Sequence, residues 1–160
     1  MSSTERWQEL AGRVGELVGT STPEVIDQAR VDQHAQTTGD AQWIHNDPDR
    51  ARRESPFGGP VVQGFLLLSL LTRLSSDLRF PEYGPVRMLV NYGFDRVRFV
   101  RTVPVGAAVR LHAVLSEVRP RGDGSAVLEL GVTLSEEGAG PDPAVAARWL
   151  FLAVPGDDGT

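Results

Sequence analysis

The sequence predicts an α+β fold in which one long buried helix is wrapped by a single curved antiparallel sheet. Three observations carry this expectation. The stretch opening at Gly64 runs through Phe65-Leu66-Leu67-Leu68-Ser69-Leu70-Leu71 and is apolar on nearly all sides over its first two turns, the mark of a buried helix rather than a surface one. From Val86 onward the apolar period shortens to two, the period of a strand. Several such segments then follow, at least four strands in all, which with the helix makes an α+β architecture. At 160 residues the chain suits one domain, residues 1–160, with one sizeable core. No internal repeat or low-complexity tract divides it.

Taken in order, Ser2 and Glu5 have the spacing of a capping box. Trp7, Leu10, Ala11, Val14 and Leu17 then recur at helical spacing, which predicts an amphipathic N-terminal helix within residues 1–18. Gly19 to Pro23 reads as a linker and Glu24 to Asp27 as a short strand. Ala29 to Thr38 reads as a short helix closed by Gly39, a natural left-handed cap. His34 lies in it, as a surface residue. Asp47 to Glu54 reads as another short helix, with Asp47 as N-cap and Pro48 in the first turn. Ser55 to Pro60 is a turn. The central helix runs from Gly64 to about Leu78, amphipathic from Thr72 onward, and Phe80 to Pro85 ends it.

In the strand region, Met88, Val90 and Tyr92 alternate with Arg87, Leu89 and Asn91. Val109, Leu111, Ala113 and Leu115 face one way, with Arg110, His112 and Ser116 opposite. Arg121-Gly122-Asp123-Gly124 is a hairpin turn, followed by the alternating apolar set Ala126, Leu128, Leu130, Val132 and Leu134. Ala144 to Val154 is nearly continuous in apolar character and is expected in the interior of the sheet. Residues 155–160 read as a flexible tail.

Composition narrows the function. The net charge of −5 argues against nucleic acid as a partner. The absence of cysteine excludes disulfides and thiolate chemistry and fits a cytoplasmic setting. The first residues lack the apolar run of a signal peptide. The longest apolar stretch is far too short to span a bilayer, so no membrane association is expected.

The chemistry-bearing stretch is Thr38-Gly39-Asp40-Ala41-Gln42-Trp43-Ile44-His45-Asn46-Asp47, with Phe57-Gly58-Gly59-Pro60-Val61-Val62-Gln63-Gly64-Phe65 after it. It places a carboxylate five positions before an imidazole, just ahead of a buried helix. The start of that helix offers unpaired N–H groups and the positive end of a dipole. An acid, a base and an anion-stabilising amide suit proton transfer beside a carbonyl. Other readings of the same residues are a plain turn in which Asp40 bonds its own backbone and a buried, satisfied His45. A metal site from His34, Asp40, His45 and Asp47 matches no zinc spacing, so neither metal nor cofactor is expected.

The pattern Thr-Gly-Asp-x-Gln-Trp-Ile-His-x-Asp, then Pro-Phe-Gly-Gly and a glycine at the start of a Leu-rich helix, resembles the MaoC-like dehydratases, the hotdog-fold (R)-specific enoyl-thioester hydratases. Gln42-Trp43 before Ile44-His45, with Asn91-Tyr92-Gly93-Phe94-Asp95-Arg96-Val97-Arg98-Phe99, resembles the NodN-like branch in particular. The likeness runs from about Leu17 to Val154. It implies a single hotdog domain, Asp40 and His45 as the catalytic pair, and the Gly64 amide as oxyanion donor. It leaves open which of the pair moves the α-proton. Gln42, Asn46 and Gln63 are candidate substrate-contacting residues. Most members of the family carry His-Gly where this chain has Gln63-Gly64. Gln63 can hydrogen-bond but not titrate, which points to a structural role at that position.

The implied function is a hydro-lyase that hydrates trans-2-enoyl thioesters and dehydrates (R)-3-hydroxyacyl thioesters of coenzyme A or acyl carrier protein. The resemblance also implies a homodimer whose sheets join edge to edge. Two alternatives stand beside this: a pathway-specific lyase, isomerase or cyclase using the same pair on a tailored intermediate, and a non-catalytic hotdog that binds acyl thioesters. Arg87, Arg96, Arg98 and Arg101 are candidate phosphate contacts.

Overall fold

A computed structural model describes residues 2–80 and 86–156. Helix α1 spans Ser3–Ala11, with both arms of the Ser2–Glu5 capping box formed. The expected run to residue 18 is overturned. Gly12 closes the helix, a turn follows with Gly15 at φ 95°, and Leu17 enters strand β1, Leu17–Thr20. The helical spacing beyond Ala11 is therefore fortuitous: Leu17 is 57% exposed, and its backbone is committed to sheet pairing. The expected linker from Gly19 accordingly begins inside a strand. Strand β2 is Glu24–Val25.

Helix α2, Gln28–Thr38, is capped at both ends by local chemistry. The Asp27 carboxylate accepts from the Arg30 N–H, and Gly39 turns left-handed at φ 80°. One turn of helix, α3 (Trp43–Asn46), leads into α4 (Pro48–Glu54). Asp47 caps α4 by accepting from the Arg50 N–H, with Pro48 at the first turn. The central helix α5 covers Gly64–Leu74 and tightens into a 3-10 turn, Ser75–Asp77. Residues 81–85, where the sequence ends this segment, lie outside the described residues.

Four long strands follow: β3 (Val86–Phe99), β4 (Ala108–Pro120), β5 (Ala126–Glu136) and β6 (Val145–Pro155). They form one antiparallel sheet in the order β1-β4-β5-β6-β3, with β2 also on β4. The β4–β5 hairpin closes where the sequence places it, with the Gly124 N–H donating to the Arg121 carbonyl. Strand β6 lies inside the sheet, as its continuous apolar run predicts, and carries Pro155, which the sequence assigns to a tail. The remainder of that tail from residue 157 lies outside the described residues.

The sheet wraps α5. Leu66, Leu67, Leu70, Leu71 and Leu74 are buried against inward residues that include Leu111, Leu115, Leu128, Leu130, Leu134 and Trp149. Burying one such leucine contributes about 1.5–3 kcal/mol. Trp149 organises the β3 side. Its indole N–H donates to Asn91 Oδ1 at 2.9 Å, and its ring stacks on Phe94 with centroids 5.8 Å apart. Asn91 and Phe94 of the Asn91-Tyr92-Gly93-Phe94 segment thus serve packing.

Two burial expectations fail. Phe65, read as part of a helix buried all round, is 66% exposed. Strand β3 exposes Met88, Leu89, Val90 and Tyr92 alike, so its alternation separates no inside from outside. Both follow from position: β3 is the edge of the sheet, with bulges that turn its residues, and Phe65 sits on the outer side of the first turn of α5. Among the described residues no helix is long and apolar enough to cross a membrane.

Candidate active site

The site is assembled where α2 and α3 are tied by hydrogen bonds to the chain entering α5. Gly39 ends α2 and turns the chain back, so that Asp40 and Ala41 lead directly into α3. In α3 the His45 and Asn46 N–H groups both donate to the Gln42 carbonyl. The next anchor is a strand-like segment, Val61-Val62. The Val61 N–H donates to the Ile44 carbonyl at 3.0 Å, and the Val62 N–H donates to the Val103 carbonyl at 2.8 Å. The chain carrying His45 is thereby fixed to the chain that enters α5.

His45 is 8% exposed, and its Nδ1 lies 2.6 Å from the Val61 carbonyl oxygen. A carbonyl can only accept, so Nδ1 carries the proton. In the neutral ring the lone pair is then on Nε2, which has no protein partner among the described residues. The backbone carbonyl of His45 is held in turn by Gln28 Nε2 at 2.8 Å.

His45 lines a cavity of about 570 Å³ together with Gly64, Leu67, Phe57, Phe99 and Arg101, among others. Gly64 is the first residue of α5, and helix geometry leaves its N–H without an intrahelical acceptor. An imidazole with an open nitrogen and a helix N-terminus thus face the same space. The walls are otherwise mainly apolar. Arg101 is tethered by Nη1 to Glu136 at 2.7 Å and by Nε to the Asp142 carbonyl at 3.0 Å.

The other expected site residues fall in different places. Asp40 is half-buried, and among the described residues no donor is bonded to its carboxylate. Its N–H donates to Thr38 Oγ1 at 3.3 Å, so the local turn is held by the threonine hydroxyl. Asp40 is not a lining residue of the cavity. Gln63 is 0% exposed and donates from Nε2 to the Val31 carbonyl at 3.1 Å and to the Asp40 carbonyl at 3.4 Å. It ties α2 and the Asp40 peptide to the start of α5 and does not line the cavity. Asn46 donates from Nδ2 to Asp32 Oδ1 at 2.7 Å, facing α2. Gln42 is exposed at the N-cap of α3 and makes no side-chain cap bond. Asn46 and Gln42 are likewise absent from the cavity wall.

Phe57, Phe99, Val100 and Thr102 line the cavity without having been singled out from the sequence for that role. The signal is long-range. The end of β3 lies some 35 positions beyond Gly64 in the chain and reaches it only through the curvature of the sheet.

Comparison with known proteins identifies the family and the fold. Residues 9–137 match the family described as the MaoC like domain. The chain belongs to the MaoC-like family. Among similar MaoC-like sequences, nodulation protein N of Rhizobium meliloti is 40% identical over 145 residues, covering 91% of this chain and 89% of that protein. The 3-hydroxyacyl-thioester dehydratase Z of Mycobacterium tuberculosis is 39% identical over 146 residues, covering 91% and 95%. Among solved structures, the (R)-hydratase from A. caviae involved in PHA biosynthesis aligns with a TM-score of 0.68 at 22% identity, covering 88% of this chain and 97% of that one. The monoamine oxidase regulatory protein from Archaeoglobus aligns at 0.74 and 22% identity, covering 89% and 91%. The fold of this MaoC-like chain is therefore the α+β hotdog.

Proposed function

We propose that this MaoC-like protein is a hydro-lyase that reversibly hydrates trans-2-enoyl thioesters and dehydrates (R)-3-hydroxyacyl thioesters. The observation that carries the reading is the bond from His45 Nδ1 to the Val61 carbonyl, which leaves Nε2 open in the same cavity as the Gly64 N–H. The 39% identity to a 3-hydroxyacyl-thioester dehydratase supports the substrate class.

The roles follow from the chemistry. His45 Nε2 and the Asp40 carboxylate are both acceptors. Asp40 is not on the cavity wall that His45 lines, so this reading requires its carboxylate to reach the water bound at Nε2, where the pair would hold that molecule by its two hydrogens. The water oxygen bonds to Cβ and keeps one hydrogen as the new hydroxyl. Its second proton passes to the pair and is returned to Cα. Between these events the electrons of the Cα–Cβ double bond move onto the thioester oxygen. The Gly64 N–H and the positive end of α5 stabilise that oxygen. Gln63 holds the Asp40 peptide in place by its amide. Dehydration is the reverse. Coenzyme A or an acyl carrier protein would present the thioester.

We also propose that the working form is a homodimer joined along β3. That strand offers 14 residues of unpaired edge, with Met88, Leu89, Val90 and Tyr92 exposed beside it. Long apolar edges of this kind are ordinarily covered. A second copy would extend the sheet.

The test is the ultraviolet absorbance of crotonyl-coenzyme A mixed with the native protein, Asp40→Asn and His45→Ala. Loss of the enoyl signal with the native protein alone is the expected result. Equal turnover by Asp40→Asn or His45→Ala would remove the acid–base assignment. Binding without turnover by the native protein would favour the non-catalytic hotdog.

A further inference from the structure

We propose that the ring of Phe99 is a selectivity wall, one that restricts the site to thioesters with no substituent on the carbon next to the carbonyl. This rests on the reading of Gly64 as the oxyanion donor. Phe99 ends β3 and lines the cavity. Its ring lies over the first residue of α5: a Cβ added to Gly64 would come within 3.2 Å of Cδ1 and Cε1 and 3.3 Å of Cδ2. The ring is in turn braced edge-on by Phe65, with centroids 5.8 Å apart. Phe99 is 47% exposed, so its position owes little to the core and much to these two neighbours.

The distances then limit the ligand. An oxygen bonded to the Gly64 N–H sits about 2.9 Å from the nitrogen, and the nitrogen is about 1.5 Å from the Cα that the ring covers. The two neighbours of the thioester carbonyl carbon, Cα on one side and the sulfur on the other, therefore lie within contact range of the ring. A hydrogen on Cα of the substrate fits beside it. A methyl group there meets ring carbons that have little room to retreat, because Phe65 stands beside them. Glycine at position 64 is part of the same device, since any side chain would strike the ring. The cavity beyond remains open to chain length through its apolar walls of Ile44, Val62 and Leu67.

The test compares binding of two unreactive thioesters, butyryl-coenzyme A and 2-methylbutyryl-coenzyme A, by titration calorimetry. The native protein should favour the unbranched ligand by roughly tenfold or more, the usual worth of one badly placed methyl group. Phe99→Ala should reduce that ratio to near unity, and Phe99→Leu should give an intermediate ratio. An unchanged ratio in both variants overturns the proposal. A second measurement reads the contact itself. Gly64→Ala should lower the melting temperature more in the native background than beside Phe99→Ala, and equal losses would show that the ring does not press on position 64. The two layers separate cleanly. If native protein binds both ligands with the expected preference but fails to hydrate crotonyl-coenzyme A, the wall stands and the hydratase reading falls. If it hydrates that substrate and Phe99 leaves the ratio unmoved, the reverse holds. If neither thioester binds, both fall.

Discussion

On one side of the cavity, His45 and Gln63 are buried and bonded to backbone carbonyls of their own chain. On the other, Phe57, Phe65 and Phe99 stand half open to solvent, next to a strand whose outer edge has no neighbour among the described residues. The inner side is a hydrogen-bond system in which Val61, Ile44, Val31 and Asp40 all supply carbonyls that this chain itself satisfies, with Gln63 Oε1 left without a partner among the described residues. On the outer side the backbone of Phe99 is paired with Val145, while its ring is braced by apolar contact with Phe65. The difference teaches that the candidate acid–base groups are fixed within one chain, while the rim is shaped by aromatic contacts and left for a ligand or a second copy to complete. Polar groups in a buried place must be paired or they cost free energy, whereas apolar groups at a surface lose little by waiting.

The comparison can be broken from either side. The largest effect is expected at His45. His45→Ala should lower kcat by roughly 10²–10⁴-fold, the usual share of a positioned acid–base group, with the circular-dichroism spectrum unchanged. Full activity in a folded variant would mean the inner side is structural only. Next is Gln63→Leu, which strands the Val31 and Asp40 carbonyls. Urea unfolding should show a loss of roughly 1–3 kcal/mol, and a neutral result would show that water or another donor can replace the amide.

On the outer side, Val90→Lys should convert a dimer to a monomer in sedimentation while changing the stability of the monomer by no more than about 0.5 kcal/mol. A persistent dimer would move the interface away from β3. The smallest effect lies away from both sides. The Thr22 hydroxyl and N–H donate to Asp77 and hold its carboxyl below the ordinary aspartate value. A lowered folded-state value stabilises the protein above the ordinary aspartate range, and that contribution is lost as the pH falls through the folded value. The melting difference between native protein and Asp77→Asn should therefore be greatest near neutrality and shrink in acid. A difference that is constant with pH would discount the ionised form.

What the sequence made legible was local. The Ser2–Glu5 box, the Gly39 cap, the Asp47–Pro48 helix boundary and the Gly124 turn are set by residues within a few positions of one another, and the structure reports each of them where the local chemistry places it, whereas Asp27, read as the end of a strand, caps α2 instead. The α5 helix and β6 were legible from their apolar runs, and β3, β4 and β5 from their period of two, although in β3 that period does not separate buried from exposed residues. The failures share a different cause. Leu17 fits a helical face, yet pairing with β4 commits its backbone to a strand. Phe65 belongs to a Leu-rich helix, but its burial depends on what lies opposite, and the Phe99 ring set edge-on to it leaves it 66% exposed. Of the candidate site, His45 and Gly64 share the cavity as their neighbourhood in sequence suggests. Gln42 and Asn46 lie in the same stretch and point elsewhere, because one short helical turn sends successive side chains in different directions. The contribution of Phe99 to Thr102 was illegible, since nothing near those residues records the path of the sheet.

The Val61 carbonyl has one more consequence. By holding Nδ1 it makes the imidazole a device with a single port. Such a ring cannot relay a proton from one nitrogen to the other, as a shuttle between two compartments would. Whatever enters at Nε2 must leave at Nε2, into the same space and toward the same side of the bound molecule. The handedness of the product would then be written into a backbone hydrogen bond, upstream of any contact with the substrate itself.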